Sequence, residues 1–311
     1  LRRRYAIDLD MDSQVMVLNG TREGLFNGVV ALGQTGSKIL IPNPFYQVYT
    51  VAAMAIGAQS VYLPARAESG FLPDLDALTP EELNQTSVFF LCSPSNPQGA
   101  VASEAYWSRL LTLAETYDFK IFADECYSEI YRAAPPPGAL QVAAQIGADP
   151  ERVVAFHSLS KRSNLPGLRS GFVASGPKNI SRIKQLRAYA GCPVAGPIQH
   201  VSAKVWSDED HVVANRQLYC GKFEAADRIF AGIQSYNSPE AGFFLWLPVE
   251  DDEAAALKLW TETGLRVLPG SYLGQIANEQ NPGSGYVRVA LVAPKEEMQR
   301  GLTILRDCLY K

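Results

Sequence analysis

The sequence predicts an α/β fold: a large domain on a mostly parallel, buried seven-stranded sheet, followed by a smaller α+β domain. Three observations carry this. Short β-rich apolar runs alternate with longer helix-periodic stretches. The pattern changes after a Gly/Pro-bounded junction at residues 191–197. The length of 311 residues suits one large and one smaller domain, at about 100–200 residues each.

The candidate strands of the sheet are Val15–Leu18, Lys38–Ile41, Ser60–Leu63, Ser87–Cys92, Lys120–Ala123, Val153–His157 and Gly171–Ala174. Helical patterns cover Arg22–Leu32, Tyr46–Ile56, Glu104–Tyr117 and Gln141–Ile146, and the chain opens on what reads as the end of a helix, Leu1–Tyr5. Beyond the junction we expect one long helix over Ile198–Ala231. A strand Phe243–Leu247, a helix Asp251–Thr263, strands Leu265–Leu268 and Tyr286–Ala290, and a final helix Lys295–Leu309 follow. The large domain is expected to span residues 1–215 and the small one 216–311. The prolines at 135–137 read as a loop, and no internal repeat is visible.

Composition narrows the function. Apolar residues make up 47% and charged residues 19%, ordinary for a globular protein. A net charge of −4 without a long basic run argues against a nucleic-acid partner, and Arg2, Arg3 and Arg4 read as a solvated helix end. No apolar run is long enough to predict a membrane span, and there is no signal-peptide pattern. Five scattered cysteines without paired spacing read as reduced thiols of a cytoplasmic protein. The three histidines form no metal-binding motif.

Ligands of open α/β sheets sit beyond the carboxyl ends of the strands. Asn19-Gly20-Thr21, Ser93 to Gly99, Asp124 to Tyr127 and Ser158 to Lys161 each follow a predicted strand, so four loops converge on one crevice. Gly20 and Thr21 before a helix start suit an anion site, although taken alone a plain helix cap by Asn19 or Thr21 is the favoured reading. Lys161 after a buried strand is a candidate amine nucleophile, with its pKa lowered by desolvation. Arg169 and nearby hydroxyls suit a phosphate. A lone lysine in such a loop reads as surface charge; the fourteen-residue run from Ser158 to Gly171 is more specific. Asp124, ending an apolar strand, needs a cationic partner if buried, and a pyridinium nitrogen is one. The alternative is a helix cap by Asp124, with Tyr127 as packing and Glu125 and Glu129 as solvated charges.

Taken together these residues resemble the class I/II aminotransferases, pyridoxal-phosphate (PLP) enzymes of fold type I. Ser93-Pro94-Ser95-Asn96-Pro97-Gln98-Gly99 is similar to the family's SPxNPTG, with Gln98 where Thr is usual. Asp124 and Tyr127 match its D-x-x-Y. Ser158-Leu159-Ser160-Lys161 with Arg169 matches its S-x-S-K…R signature. Tyr286–Ala290 resembles the strand that carries the substrate arginine. The segments at 19–26, 42–49, 124–131, 158–172, 267–273 and 287–294 resemble, more narrowly, the bacterial N-succinyldiaminopimelate aminotransferases of the lysine pathway.

The resemblance implies a role for each matching residue. Lys161 is the lysine that carries PLP and moves the substrate proton. Asp124 pairs with the pyridine nitrogen; Tyr127 and Asn96 bond the ring O3′. Tyr46 stacks on the ring, its other reading being packing beside Phe45. Gly20, Thr21, Ser158 and Arg169 hold the phosphate. Arg288 binds the substrate α-carboxylate, with Asn96 beside it; without the family it reads as an exposed charge on an edge strand. The reaction implied is ping-pong amino transfer between glutamate or 2-oxoglutarate and a keto acid, N-succinyl-2-amino-6-oxopimelate, by a homodimer. Relatives carry several tens of residues ahead of the point where Leu1 falls. The expectation is therefore an N-terminally truncated chain, lacking an arm and a tyrosine donated across the dimer. Three alternatives stay open: another transaminase or a PLP-dependent C–S lyase, a non-catalytic PLP-binding module, and an inactive truncation. His157 has no assigned role.

Overall fold

The computed structural model describes residues 1–277 and 279–311. Seven strands form the large sheet: β1 Val15–Leu18, β2 Lys38–Asn43, β3 Gln59–Pro64, β4 Thr86–Cys92, β5 Lys120–Asp124, β6 Val153–Ser158 and β7 Gly171–Ser175. Their order is β1-β7-β6-β5-β4-β2-β3. The five strands β3, β2, β4, β5 and β6 run parallel, and β7 runs antiparallel to both of its neighbours. The sheet is mostly parallel, as expected.

Every residue of β4 and β6 is buried, because helices cover both faces. Side chains alternate between the two faces with the strand period of two. Phe89, Ile121 and Val153 pack on one side with Trp107, Leu110 and Leu111. Phe90, Phe122 and Val154 pack on the other with Leu25, Val29 and Tyr49. Because only β7 is reversed, the loops after β1, β4, β5 and β6 and the loop entering β7 all open at one end of the sheet.

The smaller sheet has order β8-β10-β9 and is antiparallel: β8 Phe244–Pro248, β9 Leu268–Pro269 and β10 Tyr286–Ala290. Helices Asp252–Thr263 and Lys295–Leu309 cover it, with Leu245, Leu247, Leu259, Leu302 and Leu305 in its core.

Three expectations are corrected. The single helix over Ile198–Ala231 is two, Gly196–Ser207 and Asp210–Ile229. The Asp208 carboxylate accepts from the Asp210 amide at 2.9 Å, a local bond that competes with the helical ladder, and Arg162 from a distant turn takes the carbonyls of Val205 and Asp208 at 3.2 and 3.3 Å. The helix Pro177–Ala190 was not anticipated; only Asn179, Ile180, Ile183 and Arg187 of it are buried, too narrow a stripe to announce itself. The strand over Leu265–Leu268 reduces to Leu268–Pro269, since in this stretch only Leu268 and Pro269 pair with β10.

We propose that the domains divide at 215/216, inside the helix Asp210–Ile229. Its first turns bond the large domain, with His211 on Ser163 and Asn215 on the Arg162 carbonyl. Tyr219, Phe223 and Ala226 of its later turns belong to the smaller core.

Candidate active site

β5 ends on Asp124, whose carboxylate is buried. The Tyr49 hydroxyl donates to Oδ2 at 2.9 Å and the Cys126 amide to Oδ1 at 3.3 Å. Burial raises the Asp124 pKa, while bonds from Cys126 and Tyr49 and the charge of Lys161 pull it back. β6 ends on Ser158, whose hydroxyl accepts from the Ser160 amide at 3.0 Å and starts the short helix Leu159–Arg162. That turn delivers Lys161 over the rings of Phe243 and Tyr127, its Nζ 4.9 and 5.8 Å from their centroids. Desolvation lowers the Lys161 pKa, Arg288 lowers it further, and Cys126 and Asp124 raise it. A partly desolvated amine beside a cation is poised to lose its proton.

From the smaller sheet, β10 contributes Arg288. Its Nη1 donates to Asn96 Oδ1 at 2.8 Å, and its guanidinium lies 4.4 Å over Phe244. Asn96 sits in the loop after β4. There the Ser93 and Ser95 hydroxyls accept from the Ala102 and Ala100 amides, each at 3.0 Å, and fix the turn. Gln98, in the same loop, is buried. Arg288 is therefore half-buried against the large domain, and the reading of it as an exposed edge charge is set aside.

The anion end lies between β1 and the helix Thr21–Leu32. Gly20 adopts φ 80° and ψ 159°, a region that essentially only glycine populates. A Cβ there would also overlap the Arg169 guanidinium. Arg169 is itself left-handed at φ 53° and reaches the carbonyls of Asn19 at 3.2 Å and Pro166 at 2.9 Å. The Thr21 hydroxyl lies 3.1 Å from Cys126 Sγ. Tyr46 stands edge-on to Tyr49 at 5.9 Å, with its hydroxyl bonded by Arg22.

Every residue anticipated for the site thus lies at this end of the sheet or on β10 facing it. Sequence reasoning missed Tyr49, although it lies one helical turn from Tyr46. It also missed Phe243, which only the tertiary fold brings to Lys161. Glu125 and Glu129 are not solvated. Glu125 is buried, accepting from the Ala139 amide at 2.8 Å and the Tyr5 hydroxyl at 2.9 Å. Glu129 pairs with Arg216 at 2.8 Å. His157 packs 3.4 Å from Glu125. A cavity of about 980 Å³ lies on that side, lined by Tyr5, Glu125, His157, Phe172 and Trp206; it lacks Lys161, Asp124 and Arg288.

The donor set fits PLP. A buried carboxylate suits a cationic ring nitrogen, a desolvated amine suits an aldehyde, and the Gly20 cradle with Arg169, Ser158 and a helix N-terminus suits a phosphate. Among the described residues no His, Cys, Asp and Glu cluster could hold a metal, and no helix is long and apolar enough to cross a membrane. The five cysteines are free.

The fold and this constellation define an aminotransferase, and the chain belongs to the Aminotransferase class I and II family, whose profile matches residues 1–305. It is a PLP-dependent transaminase of fold type I, working on small amino and keto acids. Among its relatives it is 30% identical to an LL-diaminopimelate aminotransferase of Syntrophobacter fumaroxidans, over 99% of this chain and 79% of the relative. It superposes on an aminotransferase of Neisseria meningitidis with TM-score 0.93 and 39% identity, covering 99% of this chain and 79% of that one. A probable N-succinyldiaminopimelate aminotransferase of Thermus thermophilus gives TM-score 0.89 at 28% identity, covering 99% and 81%.

Proposed function

We propose that this transaminase exchanges an amino group between glutamate or 2-oxoglutarate and N-succinyl-2-amino-6-oxopimelate, with Lys161 as the residue that carries PLP and moves the proton. The observation that carries the catalytic part is the meeting of Lys161 Nζ, the buried Asp124 carboxylate and Arg288 at one end of the sheet. When bound, PLP supplies an aldehyde that takes up amines and a protonated ring that draws electrons from the α-carbon. Asp124 would pair with the ring nitrogen and keep it protonated. Tyr127 and Asn96 would bond the O3′ oxygen, and Tyr46 would pack against the ring. Gly20, Thr21, Ser158 and Arg169 hold the phosphate.

Arg288 binds the α-carboxylate with its fork of donors. Asn96 already bonds that guanidinium, so the fork is aimed before substrate arrives. Lys161, once unprotonated, takes the α-proton as general base and returns it on the other side of the exchange. Phe243 and Tyr127 keep water from the amine. The lowered Lys161 pKa favours this unprotonated form.

The substrate reading draws on the sequence segments that resemble the succinyl-specific branch and on the likeness to the Thermus thermophilus protein. The likeness to LL-diaminopimelate aminotransferases favours a second reading, in which the free diamine is used directly. The test offers N-succinyl-LL-diaminopimelate and LL-diaminopimelate separately as donors to 2-oxoglutarate and measures glutamate formed. We expect kcat/KM to favour the succinylated donor by at least about tenfold, about 1.4 kcal/mol of discrimination. Preference for the free diamine selects the second reading. We take the working form to be a cytoplasmic homodimer, checked by sedimentation at twice the monomer mass.

A further inference from the structure

We infer that Tyr49 is a positioning residue for the transamination, fixing the orientation of the Asp124 carboxylate. This rests on the reading of Asp124 as partner of the ring nitrogen. Tyr49 is 1% exposed on the helix Val48–Ala55, and its ring stacks on Phe90 of β4 at 4.2 Å and 13°. With the ring held in that stack, the phenol O–H donates to Asp124 Oδ2 at 2.9 Å. The Cys126 amide takes Oδ1 at 3.3 Å. Two donors from different elements therefore hold the carboxylate plane.

The ionisable groups around Asp124 are Tyr49 from its helix, Cys92 at the end of β4, Glu125, Cys126 and Tyr127 on its own loop, and Lys161 from the turn after β6. Burial pushes the Tyr49, Cys92, Cys126 and Tyr127 pKa values far up, so these groups stay neutral. A neutral phenol can only donate toward a carboxylate, and a bond to the charged form favours that form. Tyr49 thus opposes the burial that would otherwise protonate Asp124.

The test is Tyr49→Phe, which keeps the ring and its stack. It is read by the pH dependence of the PLP dissociation constant and of kcat, with Asp124→Asn and the double variant alongside. A hydrogen bond to the charged form of a group moves its titration by about one to two pH units. We expect the acid limb of both profiles to move up by about one unit and PLP to bind about tenfold more weakly. KM for amino acids should stay within about twofold of the parent's. In the Asp124→Asn background, Tyr49→Phe should change nothing further, because the two act as one. Should Tyr49→Phe fail to fold, 3-fluorotyrosine at 49, a stronger donor, should move the acid limb down instead. An unmoved limb, or an equal loss in both backgrounds, overturns the inference. Borohydride capture of PLP on Lys161 in the parent keeps the underlying reading separate: if capture succeeds and the limb does not move, only the role of Tyr49 falls.

Discussion

Glu125 lies next to Asp124 in sequence and faces the other way, and burial raises the pKa of both carboxyls. Burial raises the Glu125 carboxyl to about 7, while bonds from Ala139 and Tyr5 restrain the rise. Burial drives the His157 imidazole down to about 3. Near neutral pH His157 is uncharged, so its 3.4 Å approach to Glu125 is a polar contact and not an ion pair. The signs of the two linkages differ. Glu125 binds protons more tightly folded than unfolded, so its contribution is complete below about 4.5 and is lost as pH rises through about 7. His157 binds them less tightly folded, so its contribution is present above about 6.5 and is lost as pH falls through about 3. Between about 4.5 and 6.5 they oppose each other. We expect the parent to lose stability relative to Glu125→Gln as pH rises from about 4.5 to about 7, in denaturant melts at constant ionic strength. A pH-independent difference between the two proteins would contradict the assignment.

At the scale of elements, the turn from β1 into the helix Thr21–Leu32 is the part least able to tolerate change. Gly20→Ala must meet both the glycine-only conformation and the Arg169 guanidinium. We expect it to cost about 1–3 kcal/mol of stability and to weaken PLP binding at least about tenfold by displacing Arg169. Unaltered affinity by fluorescence titration would remove this turn from the phosphate site. Elements were legible in the sequence where their ends carry local chemistry. The helix Glu104–Tyr117 was anticipated residue for residue, being opened by the Ser103 hydroxyl on the Tyr106 amide and closed by left-handed Asp118. The break at Asp208 was not, because it depends on Arg162 arriving from a distant turn. Asp124 and Ser158 were legible as candidates because each ends a buried strand. Tyr49 and Phe243 were not, because their contacts with Asp124 and Lys161 join separate parts of the chain.

At the scale of the whole molecule, the site needs both sheets. The large domain supplies Lys161, Asp124 and Asn96, while Arg288 and Phe243 come from the chain around the smaller sheet. In the proposed function that division assigns the cofactor to the residues of one sheet and the substrate carboxylate to Arg288 of the other. The proposed mechanism requires Lys161 Nζ to become covalently joined to the aldehyde of PLP. Its most direct test is borohydride reduction of the PLP-loaded chain, followed by peptide mass mapping of the parent and of Lys161→Ala. We expect the pyridoxyl label on Lys161 in the parent and on no residue in the variant. A label on a different side chain, or none in the parent, would remove Lys161 from its role as the residue that carries PLP.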